Sequence, residues 1–298
     1  MRSETKFGAE KRGCVLLVGA GPGRGALTLR GLQAIRRADV LCHDDLIDQA
    51  LLSYASPSCE IVAVGKRHGR HSMEQQEITR LLIRKAREGR VVVRLKGGDS
   101  FVFGRGSEEV LALQENGIAY EVIPGVSSAI AVPEVLGIPV THRGMAAAFT
   151  VVTGHGADGW ALDYAALARM PGTLIFLMGM HHIGEITRQL MMHGKAPQTP
   201  AAVLCRGMMD GARRIDGPLE HIAVLAQDAP TPGILLVGEV AALHMEKTLE
   251  RPLEEIGGDI SVEDVSGCHG GKCFRRNGAS RRRALQMGTP FYRRCRKH

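Results

Sequence analysis

The 298-residue chain has no stretch approaching the roughly 18 uninterrupted apolar residues of a membrane span. Its first residues, MRSETKFGAEKRG, carry charges with no apolar core behind them, which argues against a secretory signal. The seven cysteines (14, 42, 59, 205, 268, 273 and 295) are odd in number and far apart, so no complete disulfide framework is expected. These absences point to a cytoplasmic protein with reduced thiols and no membrane partner. Acidic residues are missing from residues 266–298, which hold ten Lys or Arg. Removing that +10 from the net +7 leaves −3 for residues 1–265. The basic balance is therefore a property of the C-terminal tail and says little about the rest of the chain.

What the sequence does contain is strand–helix alternation. CVLLVGAGPGRG reads as a buried strand entering a glycine turn, and LTLRGLQAIRRA carries apolar residues at 27, 29, 32 and 35, a helical spacing. DVLCHD and EIVAVG are further strands around a helix in LIDQALLSYA. MEQQEITRLLIRKAREG is an amphipathic helix with Ile78, Leu81 and Leu82 on one face and Gly89 closing it. VVVRLKGGD, SEEVLALQENG, YEVIPG and SSAIAVPEVLG continue the alternation, which predicts a parallel sheet flanked by helices. A second set restarts after PVTHRG with FTVVTGH, TLIFLMG, IGEITRQLMMHG, PAAVLCRG and GILLVGEV. The expected organisation is α/β throughout: a polar leader (1–13), an N-terminal α/β domain (14–145) and a C-terminal α/β domain (146–245). A basic, disordered tail (246–298) completes it. In that tail Cys268 and Cys273 sit at the edge of zinc-ligand spacing without a second pair, so no metal is expected. The tail suits at most weak, salt-dependent nucleic-acid binding.

Two glycine turns carry the chemistry. In GAGPGRG, Gly19 and Gly21 match the dinucleotide fingerprint, but Arg24 stands at its sixth position. Pro22 removes a backbone donor that a pyrophosphate cradle would use, so the turn fits a ligand without phosphate better than NAD. The second turn, Gly97-Gly98-Asp99, also ends a buried strand, and two such turns would share one crevice in an open α/β sheet. Asp99 is either a ligand acceptor or an N-cap for the SEEV helix. Ser127 and Ser128 begin a helix and are capping residues or ligand contacts. Asp44 and Asp45 end the second strand as a ribose-binding acid or a cap. The loop GKRHGRH (65–71) concentrates Lys66, Arg67 and three further titratable side chains. With Arg94, Lys96, Arg105, His142 and Arg143 at other strand ends, it would suit a multiply anionic ligand.

The ordered set VGAGPG, LTLRGL, ADVLCHDDLI, GKRHGRHSMEQQEI, VVRLKGGDSFVFGRGSEE, VIPGVSSAIAVPEVLGIPVTHRG, VVTGH, TLIFLMGM, TPAAVLCRG and PGILLVGEV resembles the uroporphyrinogen-III C-methyltransferases of the tetrapyrrole methylase family over about residues 14–243. The resemblance implies two α/β domains with a cofactor cleft between them that holds S-adenosyl-L-methionine as methyl donor, uroporphyrinogen III as substrate, no metal, and a homodimer. It assigns Pro22, Gly97, Gly98, Asp99, Val102, Ser127, Ser128, Met178 and Gly207 to cofactor contact. It further implies Asp44 as proton acceptor and Lys66 as proton donor, with Arg67, His142 and Arg143 against the substrate. The chain departs from the family pattern at a shortened glycine loop, at Ser100 in place of proline, at His43 in place of tyrosine, and at Met208-Met209-Asp210 in place of a threonine-rich stretch. Two other readings remain: a methyltransferase for a later corrinoid precursor, and a cofactor-binding protein without turnover.

Overall fold

The computed structural model describes residues 13–65, 73–154 and 162–245. Five strands build the first sheet: β1 (Cys14–Gly19), β2 (Val40–His43), β3 (Glu60–Ala63), β4 (Val91–Lys96) and β5 (Ala119–Ile123). They run in the order β3-β2-β4-β1-β5 and every pairing is parallel, as the alternation predicts. Parallel strands need crossovers, and most are helical: α1 (Leu29–Arg37), α2 (Gln75–Arg87) and α3 (Gly106–Glu115). Thr28 caps α1 through its Oγ1, and Glu74 with Glu77 forms a capping box on α2. The apolar stripe Ile78, Leu81, Leu82 and Ala86 of α2 packs on Val15, Leu17, Val40 and Val92. Ala34 and Ile35 of α1 cover Val18, Leu41, Val93 and Leu95 on the opposite face. LIDQALLSYA forms 3₁₀ turns over Gln49–Tyr54 instead of the predicted α-helix. Leu51 is its one buried residue, too little apolar face to hold a longer helix.

After α4 (Ser128–Val135) come β6 (Phe149–Thr153), α5 (Tyr164–Arg169), β7 (Thr173–Leu177), α6 (Ile183–Met192), β8 (Pro200–Cys205), β9 (Arg213–Pro218), α7 (Leu219–Leu225) and β10 (Gly233–Val237). The second sheet has the order β6-β7-β10-β8-β9. Only β6 and β7 pair in parallel; β10 runs antiparallel to both neighbours, and β9 antiparallel to β8. The expectation of a second parallel sheet is thus corrected to a mixed one. Periodicity reports burial, and burial is the same for either strand direction. Strand β9 has no apolar signature in the sequence because RRIDGP is a charged, half-exposed edge strand.

The side chains of this sheet divide cleanly. Leu174, Phe176, Val203, Leu235 and Val237 face α5, α6 and α7. Ile175, Leu177, Leu204, Ile234 and Leu236 face Ala129 and Val132 of α4 with Ile138. Helix α4, which follows the first sheet in the chain, thereby covers one face of the second. Arg214 adds polar ties there, donating to the carbonyls of Leu136, Ala241 and Leu243. Among the described residues no helix is long and apolar enough to cross a membrane.

Phe176 is fully buried at the centre of this core. Phe176→Ala should cost about 3–5 kcal/mol of unfolding free energy. Val224→Ala, at a side chain that is exposed, should stay within about 0.5 kcal/mol. Urea denaturation of both variants checks the contrast.

Candidate active site

The C-terminal ends of β1, β4 and β5 meet through backbone alone. Gly21 and Gly98 exchange two N–H···O bonds of 3.0 Å, and Ala20 N–H donates to the Lys96 carbonyl at 2.8 Å. A Cβ on Gly19 would lie 2.5 Å from the Gly125 nitrogen, and one on Gly125 would lie 2.3 Å from the Gly98 oxygen. No side chain fits at either position. Gly21 and Gly98 also hold φ of +72° and +65°, where other L-residues are strained. The two predicted turns therefore share one place, with a third turn, Pro124-Gly125, packed against them.

Asp99 ties these turns together. Its Oδ1 accepts from Phe101 N–H at 2.8 Å and its Oδ2 from Gly125 N–H at 3.1 Å. It does not cap α3, whose N-cap is Arg105. Ser127 caps α4, accepting from Ala129 N–H at 3.3 Å, and the Ser128 nitrogen lies 3.7 Å from a Cβ built on Gly98. Capping and closeness to the glycine turn thus coexist at this pair.

The loop after β8 reaches the same region. A Cβ on Gly23 would meet the Met208 carbonyl at 2.5 Å, and one on Gly207 would meet Val132 of α4 at 2.6 Å. Pro22, between Gly21 and Gly23, is buried. Among the described residues five other than glycine hold positive φ: Phe103, Arg105, Met178, Arg206 and Met208. All lie in loops that follow β4, β7 or β8. Such conformations cost of order 1–3 kcal/mol each and persist where the surroundings enforce them, which happens disproportionately at functional sites. Met178 and Val102 remain exposed. Met178 shares the C-terminal edge of the second sheet with Gly207, since β7 and β8 point the same way. Beside the Gly207 loop a hollow of about 320 Å³ is lined by Val135, Leu136, Met208, Met209 and Ala212. A larger hollow of about 610 Å³, between the arginine face of α2 and Asn116, contains none of the glycine turns.

Asp44 follows β2 and is held in register by its N–H bond to the Leu95 carbonyl at 3.2 Å. Its Oδ1 accepts from Arg94 Nη2 at 2.5 Å. Arg94 and Lys96, read from the sequence as ligand-facing cations, are instead buried and paired with carboxylates. Both point inward because they alternate with Val93 and Leu95 on a strand covered on two faces. Burial opposes the Arg94 charge, yet Glu109 and Asp44 outweigh it and hold the guanidinium above its usual range. Burial, then the neighbouring Arg94, pushes the Lys96 ammonium down. Glu109, fully buried on α3, was missed by sequence reasoning. The signal was present: Gly106, Glu109 and Leu113 form the inward stripe of that helix, and a charge on such a stripe requires buried partners.

His142 and Arg143 stand exposed on a turn closed by mutual backbone bonds between His142 and Ala146. Lys66 and Arg67 lie outside the described residues, as do residues 1–12 and the tail from 246. Arg105 is engaged by Glu108 in two hydrogen bonds of 2.8 and 2.7 Å.

Residues 15–223 match the family model of the Tetrapyrrole (Corrin/Porphyrin) Methylases. The chain is 49% identical over 233 residues to the uroporphyrinogen-III C-methyltransferase of Methanocaldococcus jannaschii, covering 76% of this chain and 96% of that protein. It is 48% identical over 236 residues to siroheme synthase 1 of Klebsiella pneumoniae, covering 78% of this chain and about half the length of that longer relative, 50%. Among solved structures, the Thermus thermophilus uroporphyrin-III C-methyl transferase complexed with S-adenosylhomocysteine superposes with a TM-score of 0.68 at 40% identity, over 78% of this chain and 96% of that one.

Ser100 follows Asp99 and is buried, and its hydroxyl has no hydrogen-bond partner among the described residues. Ser100→Ala removes that unpaired group and should leave stability unchanged or raise it by about 1 kcal/mol. A fall of that size in chemical denaturation would show that the hydroxyl has a partner.

Proposed function

The chain belongs to the tetrapyrrole methylase family, and on that premise we propose that it transfers methyl groups from S-adenosyl-L-methionine to uroporphyrinogen III, on rings A and B, giving precorrin-2. The observation that carries the reading is the convergence of the strand-end turns at Gly19, Gly98 and Gly125, with Asp44 partly exposed on the neighbouring strand end. A bare backbone surface flanked by the Ser128 N–H and the left-handed loops fits a small ligand held by main-chain groups. With Pro22 at the turn, it lacks the donor row that a pyrophosphate needs.

The sulfonium supplies an activated methyl group when the donor is bound. The protein's own task is alignment and proton handling. In this reading Pro22, Gly97, Gly98, Asp99, Val102, Ser127, Ser128, Met178 and Gly207 hold the donor. Asp99 acts by fixing the turn, since both its oxygens are occupied by backbone N–H groups. Asp44 accepts a proton as the methylated ring rearranges, and Lys66 returns one. Arg67, His142 and Arg143 meet the eight substrate carboxylates. The reading extends to two domains divided near residue 145, a homodimer in the cytoplasm, and a product destined for sirohaem or cobalamin.

Incubation with uroporphyrinogen III and methyl-labelled donor should place two labels on each tetrapyrrole. Donor binding without label transfer would replace this reading with a binding-only protein. Asp44→Asn should lower kcat by about 100-fold or more, with donor affinity nearly unchanged. Asp99→Ala should weaken donor binding first, which calorimetry reads directly. Loss of donor binding in Asp44→Asn with an unchanged bound-state rate would remove Asp44 from the proton-handling role.

A further inference from the structure

Asp44 is the half-buried member of a cluster of four charges whose other members, Arg94, Lys96 and Glu109, are buried. Its two carboxylate oxygens are not equivalent. Oδ1 takes the short bond from Arg94, whereas Oδ2 faces Lys96 Nζ at 3.9 Å, beyond hydrogen-bond reach. Lys96 donates instead to Glu109 Oε1 at 3.2 Å. Arg94 Nε at 3.2 Å and Gln75 Nε2 at 2.8 Å end on that same oxygen. Glu109 Oε2 is buried without a hydrogen-bond partner among the described residues. So one fully buried carboxylate anchors both cations of β4, at a desolvation cost that apolar residues would avoid.

Other titratable groups among the described residues lie nearby, including the neighbouring Asp45, whose Oδ2 is buried without a hydrogen-bond partner among them. His43 turns Nδ1 to the Asp44 carbonyl at 3.0 Å. Cys42, near Arg94, is pushed up to about 11 by burial and stays neutral. Glu108 and Arg105 of the α3 start engage each other.

We propose that Glu109 is a positioning residue for methylation: it draws the Lys96 ammonium back, so that Asp44 Oδ2 stays free to take the substrate's proton. The inference rests on the reading of Asp44 as proton acceptor. In that step the C–H bond of the methylated macrocycle breaks, its electron pair returns to the ring, and the proton forms an O–H bond at Oδ2. Arg94 keeps hold of Oδ1 throughout. An ammonium donating to Oδ2 would lower that oxygen's basicity and compete with the substrate for its approach. Burial and Arg94 already disfavour the Lys96 charge, so without Glu109 the ammonium gains by closing on Asp44.

The test is a comparison of Glu109→Gln with the double variant Glu109→Gln/Lys96→Met, alongside the unaltered protein. Glu109→Gln should lower kcat about tenfold or more, while KM for the tetrapyrrole and the donor changes little. The double variant should recover most of that kcat, because no ammonium remains to cover Oδ2. A merely structural role predicts the reverse, with the second change adding to the damage. The crystal structure of Glu109→Gln should show Lys96 Nζ closing from 3.9 Å to about 2.8 Å from Asp44 Oδ2. A double variant no faster than Glu109→Gln, or a Lys96 that stays in place, overturns the proposal. If Glu109→Gln alone does not fold, Glu109→Met/Lys96→Met removes both buried charges, and a folded pair lacking turnover overturns it equally. Should even the unaltered protein leave uroporphyrinogen III unmethylated, the functional reading fails, and the Lys96 position still decides whether Glu109 restrains it.

Discussion

The structure depends on a place where three chain segments touch with no side chain between them. Gly19, Gly98 and Gly125 end or follow β1, β4 and β5, and an added Cβ at Gly19 or Gly125 would fall within 2.3–2.6 Å of a neighbouring backbone atom. That contact needs the strands to be parallel and adjacent, which the order β4-β1-β5 provides. It also leaves main-chain groups, not side chains, at the crevice where open α/β sheets bind ligands. Asp99 locks the arrangement by accepting from both sides of it. The loop carrying Gly207 and Met208 then closes on Gly23 and α4, so residues distant in sequence are drawn around one backbone surface.

Beside that surface lies a charge cluster that stability alone does not explain. Burying Arg94, Lys96 and Glu109 costs more than an apolar cluster of the same size. What the cluster delivers is asymmetry at Asp44: one oxygen gripped, the other open. A carboxylate held in this way keeps a fixed orientation with one oxygen beyond hydrogen-bond reach of Lys96, which suits the proton acceptance proposed for Asp44. In the proposed reading the buried cations act on the half-buried acid and not on the anionic substrate.

Much of this was legible in the sequence, for identifiable reasons. Glycine at strand ends reports backbone contact directly, so both turns were readable, and the structure brings them together. Strand–helix alternation in residues 14–135 gave the first sheet and its direction. The same alternation misled in the second half, because β10 inserts antiparallel between β7 and β8, a choice that burial patterns do not encode. The charged edge strand β9 left no apolar trace. Arg94 and Lys96 were read as ligand-facing because strand-end cations usually are, and their carboxylate partner Glu109 is contributed by a helix that no local pattern links to β4. His142 and Arg143 were readable as cations, and both stand exposed.

The most direct test of the account is a crystal structure of the protein with S-adenosylhomocysteine. The ligand should lie against the Gly97–Asp99 turn and Ser128, enclosed by the loops of Met178 and Gly207, with Asp44 Oδ2 open toward the remaining space. A ligand bound elsewhere, for instance in the hollow beside α2, would contradict it. So would glycine turns that show no contact with the ligand at saturation.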